Sequence, residues 1–459
     1  MKNTGKRRPK QSEGAPTAKM PATRSFETRE KQSSDRTQGQ AWGATINRRA
    51  ADRLRGGQIW VYASDIESIQ LADAEAAPPL LPVADSRGLL LGTALYSPHS
   101  QIALRLVSRQ FLDEAAWLGL FERRLRCAIA RRRPLLTKET DSCRLCFSEA
   151  DELPGLVIDK YAGLVIVQFL NIGLLGGLLG GLLSSGVRET CVRVLREELK
   201  PDGILERPDP RMRELEGMPV PAQEPLWAAN AKASAATKFH LNGLVFHYDA
   251  NSGQKTGAFL DQRSNYIATR EWAERLGVAR LASGGRALDV CCYQGGFALH
   301  LAQVCKQVKG IDASHASLEV AEKNLQANRA VVPGDVDWME GDAFEILRDW
   351  SSGGERFSAI VLDPPAFAKT QRAVEGALRG YKELNLRALR MIDPGGLLVT
   401  CTCSHHVGWQ DFEAAVASAA ADASRRVRVL ERRGAAADHP VILNLAETEY
   451  LKCLVLEVE

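Results

Sequence analysis

The sequence lacks the cysteine pattern of a secreted, disulfide-stabilised protein. Its ten cysteines do not follow the even spacing of a secreted disulfide framework, and we expect no signal peptide. Small secreted proteins place an even number of cysteines at regular spacings, whereas scattered thiols are typical of a reducing compartment. The cysteine pattern therefore predicts a cytoplasmic location.

A long uninterrupted apolar run is also missing. The nearest candidate, residues 164–183, is long enough to suggest a membrane span. However, Gln168 and Asn171 interrupt it, and its first half alternates like a β-strand. Its second half, rich in leucine and glycine, predicts a short buried helix. We therefore expect neither a membrane span nor a membrane partner.

A repeated metal-binding motif is absent as well. The sequence has one C-x-x-C, Cys143 to Cys146, and no second pair of ligands at the spacing of a zinc site. Cysteine is among the residues most often buried in protein cores, so two core thiols on one strand are the simpler interpretation. No metal site is predicted.

The chain has little net charge, +3, but the charge is unevenly distributed. Residues 1–40 carry ten lysines and arginines against four acids, so the remainder is net negative. A polar arm with few apolar residues cannot bury a core. We expect residues 1–43 to be a disordered basic arm, either solvated without a partner or in contact with a polyanion.

Length and local pattern divide the rest of the chain into domains. With 459 residues, 45% of them hydrophobic and 25% charged, the sequence is typical of a soluble protein of about three domains. Short strands separated by turn residues predict a small β-barrel over 44–112. Residues 113–235 predict a central α+β domain, which opens with a helix at Ala115–Arg133 and includes a proline-rich loop or linker over 201–238.

The last segment, residues 236–459, alternates strand and helix. That alternation predicts an α/β fold with a doubly wound, mostly parallel sheet. The predicted strands are Ala287–Cys291, Val308–Asp312, Val336–Met339, Ala359–Leu362 and Leu397–Cys401, with helices such as Ala316–Arg329 and Ala377–Met391 between them.

Several arginines are candidates for contact with nucleic acid. The helix at Ala115–Arg133 carries six of them, a number that slightly favours phosphate contact over a merely solvated face. In the barrel region, Arg53, Arg55 and Trp60 are candidates for RNA contact, or else belong to the surface and the core.

An acid and a thiol end two strands of the predicted sheet. The apolar run Ala359–Leu362 stops at Asp363, which two prolines follow, and the strand Leu397–Cys401 leads to Cys403. Buried parallel strands deliver their last residues to the carboxyl edge of a sheet, where α/β proteins bind ligands. The prolines stiffen the backbone after the acid. The two strand ends predict an enzyme with covalent chemistry and an acid partner.

A glycine-containing turn follows the first predicted strand of this segment, Ala287–Cys291. The strand passes through Asp289 into Tyr293-Gln-Gly-Gly-Phe, in which Gly295 and Gly296 would let the backbone approach a ligand at a helix N-terminus. The turn is not G-x-G-x-x-G and contains no basic residue for a pyrophosphate. A dinucleotide is therefore disfavoured.

Acids occupy the ends of the following strands too. Asp312 can accept hydrogen bonds from both hydroxyls of a ribose, and Asp342 with the neighbouring Ala343 amide could hold an adenine edge. Asp363 completes the series that Asp289 begins. Any one of these acids is more often a loop acid or a helix cap. Four at successive strand ends indicate a binding site.

These motifs resemble the class I S-adenosylmethionine-dependent methyltransferases. A narrower resemblance is to the bacterial 23S rRNA cytosine-5 methyltransferases that carry an N-terminal PUA-like domain. The motifs that carry it are Asn-Ser-Gly-Gln-Lys-Thr-Gly-Ala-Phe-Leu-Asp-Gln-Arg at 251–263, Tyr-Gln-Gly-Gly-Phe at 293–297 and Leu-Asp-Pro-Pro-Ala-Phe at 362–367, with further matches at 53–66, 149–159 and 438–441. The likeness covers nearly everything after residue 43, except the proline-rich stretch 201–235.

The resemblance implies a fold and an activity. The fold would be a Rossmann-like methyltransferase domain over 236–459, preceded by a PUA-like RNA-binding domain over 44–112 and the central α+β domain. The cofactor would be S-adenosylmethionine, and the substrate RNA, specifically 23S rRNA. The oligomeric state stays open, with a homodimer as one option.

The resemblance also assigns roles to residues. Cys403 would add to C6 of a cytosine, with Cys401 as a rival because alternation along a strand puts both on one face. Asp363 would hold N3 of the ring, and Phe367 could stack on the base. The members of the family line their cofactor pocket with residues that correspond to Phe259, Asp261 and Arg263, in addition to the strand-end acids and Tyr293.

Two alternatives remain at this point. The Asp-Pro-Pro motif also occurs in enzymes that methylate nitrogen atoms, so the chain could be an RNA guanine or adenine N-methyltransferase in which Cys403 is structural. The second alternative is a ribosome-assembly protein that binds RNA without turnover, although four intact acids argue against it.

Overall fold

The computed structural model describes the chain over residues 43–71, 79–176, 182–219, 224–230, 234–251 and 257–459. The arm predicted over residues 1–43 lies outside these ranges, apart from Gly43, which begins the first strand. Over the described residues, no helix is long and apolar enough to cross a membrane.

The first unit is a six-stranded sheet with the order β2-β6-β5-β4-β1-β3. Its helix begins where the side chain of Asn47 accepts a hydrogen bond from the Ala50 N–H, and it buries Ala51 and Leu54 against the sheet. The elements are β1 (Gly43–Ile46), α1 (Arg48–Arg55), β2 (Trp60–Tyr62), β3 (Ile66–Gln70), β4 (Leu80–Asp85), β5 (Leu90–Tyr96) and β6 (Ile102–Ser108).

The central unit is a five-stranded sheet with the order β11-β10-β9-β8-β7. Its elements are α2 (Glu114–Arg132), β7 (Ser142–Phe147), β8 (Leu156–Tyr161), β9 (Leu164–Phe169), α3 (Leu182–Leu199), β10 (Gly203–Glu206), α4 (Pro210–Glu216) and β11 (Trp227–Ala228). Helix α2 buries Trp117, Phe121 and Leu125 against the sheet. The apolar run at 164–183 thus starts as a fully buried inner strand; part of its leucine- and glycine-rich half, residues 177–181, lies outside the described residues.

The prediction of a loop or linker over 201–238 was wrong. Strand β10 pairs in parallel with β9, helix α4 follows, and a short strand, β11, pairs with β10. Two of the prolines that suggested a linker sit where elements start: Pro201 precedes β10, and Pro210 occupies the first turn of α4, where its missing N–H costs nothing. The two strands and the helix therefore belong to the central unit, whereas residues 236–238 begin the following strand, Ala236–Leu241, of a separate hairpin.

A buried ion pair fastens this segment to the first unit. Arg105 in β6 and Glu216 in α4 are 5% and 0% exposed, and their Nη2 and Oε1 atoms are 3.1 Å apart. Since Glu216→Ala leaves a buried guanidinium without its partner, we expect the free energy of unfolding to fall by about 3–5 kcal/mol in urea titrations. The exposed neighbour Glu214→Ala should change it by less than about 0.5 kcal/mol. Equal effects would show that the pair does not hold the two units together.

A hairpin and a large sheet make up the last unit. Its elements are β12 (Ala236–Leu241), β13 (Leu244–Asp249), α5 (Arg263–Arg275), β14 (Arg286–Val290), α6 (Gly296–Leu301), β15 (Gln307–Asp312), α7 (His315–Asn328), β16 (Asp335–Glu340), α8 (Ala343–Gly353), β17 (Phe357–Leu362), α9 (Val374–Met391), β18 (Ile392–Thr402), α10 (Trp409–Asp422), β19 (Val427–Arg433) and β20 (Lys452–Val458). The predicted strands and helices are all present, with ends that differ by a few residues.

The order of the large sheet, β16-β15-β14-β17-β18-β20-β19, determines where a ligand can bind. The first five strands are parallel, and apolar cores cover both faces, which confirms the doubly wound α/β prediction. The chain turns outward in opposite directions from β14 and β17, so a crevice forms at the carboxyl ends of these two strands. The Asp363 N–H donates to the Val290 carbonyl there, at 3.2 Å.

Candidate active site

The turn after β14 has an unusual backbone. Cys291 and Tyr293 adopt left-handed conformations, with φ of 64° and 50°, which are uncommon for residues other than glycine. The Tyr293 N–H donates to Asp312 Oδ2 at 2.9 Å, and its hydroxyl donates to the Gly257 carbonyl at 2.7 Å. Backbone held in sparsely populated conformations by surrounding bonds is frequent at functional sites.

The two glycines of this turn make room for the protein's own aromatic rings. A Cβ on Gly295, whose φ is 82°, would lie 2.7 Å from the Trp338 ring. A Cβ on Gly296 would lie 2.4 Å from the Tyr266 ring. Contacts this short do not occur between real atoms, so the lack of side chains is required by packing. Packing therefore gives a second reason for glycine at both positions, and the approach of a ligand to this backbone stays a prediction.

Asp289 lies beneath the turn. It is fully buried; its Oδ2 accepts from the Ala298 N–H at 2.8 Å, and its Oδ1 has no hydrogen-bond partner among the described residues. Burial raises the pKa of Asp289 well above its usual value. The carboxyl thus supports the start of α6 and presents one unsatisfied oxygen in the interior.

The next two strand-end acids are engaged by backbone. Asp312 accepts from the Tyr293 N–H through Oδ2 and from the Ser314 N–H through Oδ1. Asp342 is exposed and caps α8, where its Oδ1 accepts from the N–H groups of Phe344 and Glu345 at 2.8 and 3.1 Å. Each carboxylate oxygen can accept more than one bond, so these contacts still leave acceptor capacity at the sheet edge.

Two cavities that share part of their lining lie at this edge of the sheet. The inner one, about 30 Å³, is lined among others by Asp363, Tyr293 and Phe259. The outer one, about 310 Å³, shares Ala258 and Phe259 with it. We call the outer one the thiol cavity; it is lined by Arg144, Phe147, Gly257, Ala258, Phe259, Leu260, Asp261, Ala366, Cys403, His405, His439, Glu447 and Tyr450.

The structure separates the two candidate cysteines. Strand β18 ends at Thr402, so alternation does not extend to Cys403, which is half-buried and lines the thiol cavity. Cys401 is fully buried opposite Cys453 of β20. Burial, and then the neighbouring Cys453 thiol, raise the pKa of Cys401 well above its usual value. Since the thiolate is the nucleophile, Cys401 is unsuited to attack.

Hydrogen bonds hold the Cys403 loop against the Asp363 loop. The Ser404 hydroxyl accepts from the Ala368 N–H at 3.2 Å and lies 2.9 Å from the Tyr381 hydroxyl. Thr402 in turn donates to Tyr381 at 2.7 Å. All four residues are buried. The residues on either side of Cys403 are therefore fixed relative to the loop that follows Asp363.

A buried cation lies near the thiol. Lys452, opposite Thr402 in the sheet, is 3% exposed. Burial lowers the pKa of Lys452, and the charges of Glu449 and of the Cys403 thiolate oppose that shift. A lysine close to a cysteine favours the thiolate form, which adds to carbon far faster than the thiol.

The residues 259–263, predicted to line the cofactor pocket, divide between two roles. Phe259 lines both cavities, and the centroid of its ring lies 4.8 Å from that of Tyr293. Asp261 lines the thiol cavity and accepts from the Tyr450 hydroxyl. Arg263 instead points away, donating to the Ser142 carbonyl at 3.3 Å and lying 3.6 Å from Asp438. The structure thus uses Arg263 to join the tail to the central sheet.

Sequence reasoning missed much of the thiol cavity. Its tail residues, His439, Glu447 and Tyr450, lie far along the chain from Arg144 of β7. They meet because Asp438 Oδ2 accepts from the Arg144 N–H at 2.9 Å, across 294 residues of sequence. The matching motif at 438–441 was a usable signal, but it said nothing of the partner in β7.

The predicted RNA contacts are less available than expected. Arg53 is paired with Asp65, and Arg55 with Asp52 and Asp85. Among the six arginines expected to favour phosphate contact, five form ion pairs within the protein: Arg124, Arg126, Arg131, Arg132 and Arg133. The slight preference for phosphate contact over a structural role is therefore not supported for this helix.

Phe367 also lies elsewhere than expected. The centroid of its ring lies 4.8 Å from that of Tyr381 and 5.8 Å from that of Phe344. Phe367 also lines a separate surface pocket with Arg372 and Arg379. Besides the imidazoles of two histidines, the aromatic rings that line the thiol cavity are those of Phe147, Phe259 and Tyr450. These rings, rather than Phe367, are placed to contact a ring held beside Cys403.

A buried histidine next to the turn predicts acid sensitivity. His300 Nδ1 lies 2.7 Å from the Gly296 carbonyl and Nε2 lies 3.1 Å from Asn242 Nδ2, contacts that suit the neutral ring with its proton on Nδ1. Burial lowers the pKa of His300 from 6.5 to about 4. The unfolded chain therefore binds a proton that the native state refuses, and the free energy of unfolding should fall by about 3 kcal/mol as pH drops from 6.5 to 4.

Urea titrations at pH 7.5, 5.5 and 4.5 check this expectation. In His300→Gln, which keeps a donor and an acceptor, the fall in unfolding free energy between pH 7.5 and pH 4.5 should be smaller by about 2.5 kcal/mol. The same pH dependence in both proteins would contradict it.

The chain matches two family models and is similar to known proteins over most of its length. Residues 44–109 match the family model of a PUA-like domain, and residues 226–452 match that of an S-adenosylmethionine-dependent methyltransferase. A protein from Erwinia tasmaniensis named Ribosomal RNA large subunit methyltransferase I is 34% identical over 396 residues, covering 86% of this chain and 93% of the relative. A protein of the same name from Escherichia coli O127:H6 is 32% identical, with coverage of 86% and 93%. The chain belongs to this methyltransferase family.

A solved structure agrees with the fold of this methyltransferase. SMU.776, a methyltransferase complexed with SAH, superposes with a TM-score of 0.70 at 18% identity, covering 90% of this chain and 99% of that one. At this identity the likeness concerns the fold alone. The PUA-like and Rossmann-like units predicted from the sequence are thereby confirmed.

The site suits S-adenosylmethionine, the cofactor of this methyltransferase family. The cofactor carries a sulfonium and an ammonium group, and the edge of the sheet presents Asp312 and Asp363, with the unsatisfied Oδ1 of Asp289 beneath. Acids and acceptors match cations, whereas the turn offers no basic residue for a phosphate. Phe259 and Tyr293 would border the bound group on the side of the thiol cavity.

Proposed function

We propose that this methyltransferase transfers a methyl group to C5 of a cytosine in large-subunit ribosomal RNA, through a transient bond between Cys403 and C6. The rRNA substrate is supported by the printed name of relatives that span 86% of the chain, and by the PUA-like domain. The observation that carries the chemistry is a half-buried thiol in a 310 Å³ cavity that shares Ala258 and Phe259 with the inner cavity, which Asp363 lines.

Cytosine C5 needs activation before it can accept a methyl group. The Cys403 thiolate adds to C6, and the electron pair of the C5–C6 double bond makes C5 nucleophilic. S-adenosylmethionine, when bound, supplies an electrophilic methyl group on its sulfur. Loss of the C5 proton to a base then re-forms the double bond and expels the thiolate. Lys452 favours the thiolate at both ends of this cycle.

Asp363 supports the addition step. As the thiolate attacks C6, negative charge develops on the pyrimidine ring and reaches N3. A proton shared between the Asp363 carboxyl and N3 neutralises that charge, as a positioned acid does in general acid catalysis. The bond from the Asp363 N–H to Val290 fixes the start of this loop at the switch point of the sheet.

The target base must leave its stack to enter the thiol cavity. Enzymes that modify a base atom extrude the nucleotide or act on unpaired bases, and hold the ring between aromatic or apolar side chains. Phe147 and Tyr450 line the cavity, with ring centroids 6.1 Å apart. The volume of about 310 Å³ is ample for one pyrimidine.

The main rival is methylation of a base nitrogen, with Cys403 structural. A structural cysteine is usually buried and inert, as Cys401 and Cys453 are here. Cys403 instead lines a cavity with a buried lysine nearby, which nitrogen methylation does not require. The non-catalytic alternative has no support from a chain that belongs to a methyltransferase family and keeps all four acids.

Nucleoside mass spectrometry distinguishes these functions. Unmodified large-subunit rRNA is incubated with the protein and deuterated S-adenosylmethionine, digested, and its nucleosides are weighed. The proposal expects 5-methylcytidine that carries the heavy label and maps to one position. A label on guanosine or adenosine would overturn the C5 assignment and make Cys403 structural; label on no nucleoside would contradict an RNA substrate.

A further inference from the structure

A fully exposed leucine lies in the loop that joins two residues of the thiol cavity. Leu443 is 99% exposed and Val441, two residues earlier, is 46% exposed. The loop that carries them follows His439 and precedes Glu447, both of which line the cavity. Single exposed apolar residues are common on protein surfaces, so exposure alone means little. Leu443 is informative because its loop adjoins the thiol cavity and is held rigidly.

The loop is a closed turn rather than a loose one. The Leu445 N–H donates to the Ile442 carbonyl at 2.9 Å, which puts Leu443 at the second position of a four-residue turn. The Thr448 hydroxyl accepts from the Ile442 N–H at 2.8 Å and donates to the Leu445 carbonyl at 2.7 Å. Leu445 and Thr448 are 2% and 6% exposed, so the base of the turn is anchored in the core.

The PUA-like unit braces the same turn from the other side. Asn444 packs so tightly over Gly57 that a Cβ there would lie 1.8 Å from Asn444 Nδ2. Next to it, Gln58 Nε2 donates to Glu447 Oε1 at 2.9 Å. Two domains thus fix this turn. Its exposed tip, formed by Val441 and Leu443, is apolar. A side chain held this way needs no further ordering when it meets a partner.

We propose that Leu443 is a wedge, an apolar side chain that inserts between stacked bases of the substrate RNA and fills the gap when the target nucleotide turns into the thiol cavity. The inference rests on the proposed RNA substrate. Proteins that unstack nucleic acid use leucine, isoleucine, phenylalanine or methionine for this purpose, because an apolar side chain replaces the lost stacking surface. Val441 would lie against the flanking base.

The dimensions of the tip favour RNA over a protein partner. A stable protein interface buries about 800 Å² on each side. Leu443 and Val441 together offer far less, while the neighbouring Asn444 is already packed on Gly57. A single projecting residue suits a gap of one base in a stack. A second copy of this chain is the competing partner, and the experiment separates the two.

The test compares two RNA substrates and three variants. One substrate is an rRNA fragment that spans the methylated position; the other has abasic sites on both sides of the target, so that no stacking opposes its exit. On the intact fragment, Leu443→Ala should lower kcat/KM for methyl transfer by roughly 10- to 100-fold. On the abasic fragment the loss should be under about threefold. Leu443→Met should restore activity, and Leu215→Ala, an exposed leucine in α4, should change neither rate.

Any other outcome would contradict the proposed role of Leu443 as a wedge. Equal losses on both fragments would mean that Leu443 supports the fold or binds RNA without unstacking it. An unchanged kcat/KM on both fragments would mean that Leu443 has no role in methyl transfer. Light scattering that shows Leu443→Ala converting a dimer to a monomer, with normal rates on both fragments, would assign the tip to a second copy. Since any labelled methyl is counted, a nitrogen product would contradict the proposed C5 chemistry while leaving the wedge standing.

Discussion

Cys403→Ala should abolish methyl transfer to RNA, lowering kcat by roughly 10⁴-fold or more, because removing an enzyme nucleophile removes the whole covalent route. Binding of S-adenosylmethionine should stay within about threefold, since the thiol lines the outer cavity and not the inner one. Single-turnover transfer of labelled methyl and equilibrium titration of the cofactor measure the two quantities. A variant that retained normal 5-methylcytidine formation would contradict the role of Cys403.

Cys401→Ala is the matched control for this result. It makes the same chemical change two residues earlier, at a buried thiol on β18. We expect kcat within about threefold of the wild type and a free energy of unfolding lower by about 1–3 kcal/mol from the core cavity. A collapse of activity in Cys401→Ala together with full activity in Cys403→Ala would reverse the assignment.

Asp363→Asn should lower kcat by roughly 10²- to 10⁴-fold, the usual contribution of a positioned acid or base. The amide has nearly the same shape but cannot share a proton with N3 of the ring. Because the side chain also lines the inner cavity, the KM for S-adenosylmethionine should rise, and the separate titration of the free enzyme shows by how much. Steady-state kinetics at saturating cofactor isolate the effect on kcat.

Asp337→Asn is the control for the acid. It makes the same exchange on the same sheet, at an exposed residue of β16 whose partner is Lys309. Its kcat should stay within about twofold, since exposed ion pairs contribute little to the fold. If Asp363→Asn showed only a weaker KM for the cofactor, with an unchanged kcat, Asp363 would bind cofactor without acting on the base.

The sheet of the last domain was predictable because each strand carries its own signal. The residues of β17 are buried throughout, so an apolar run ending in an acid is enough to identify a parallel strand and its tip. The segment 201–238 was not, because prolines mark both linkers and the starts of elements. Only the pairing of β10 with β9 and the bond between Arg105 and Glu216 reveal its place.

Some residues of the candidate site were likewise predictable from the sequence, and others were not. Asp363 follows β17 and Cys403 follows β18, its neighbour in the sheet, so the pattern of two apolar strands was enough to propose both residues. Arg144 and Tyr450 reach the thiol cavity through contacts between distant segments, for which one sequence carries no signal. Arg263 and Phe367 show the converse: a match to a motif fixes a position along the chain, but packing decided that each side chain would point elsewhere.

Trapping with 5-fluorocytosine is the most direct test of the covalent mechanism. In RNA that carries fluorine at C5 of the target, Cys403 can still add to C6 and C5 can still be methylated. The fluorine cannot leave as a proton does, so the thiolate is not expelled and the adduct persists. We expect a complex stable to denaturing gels that forms only with S-adenosylmethionine present, and peptide mass spectrometry that places the RNA on Cys403. An adduct on another residue, or none while the unsubstituted RNA is methylated, would contradict attack by Cys403 on C6.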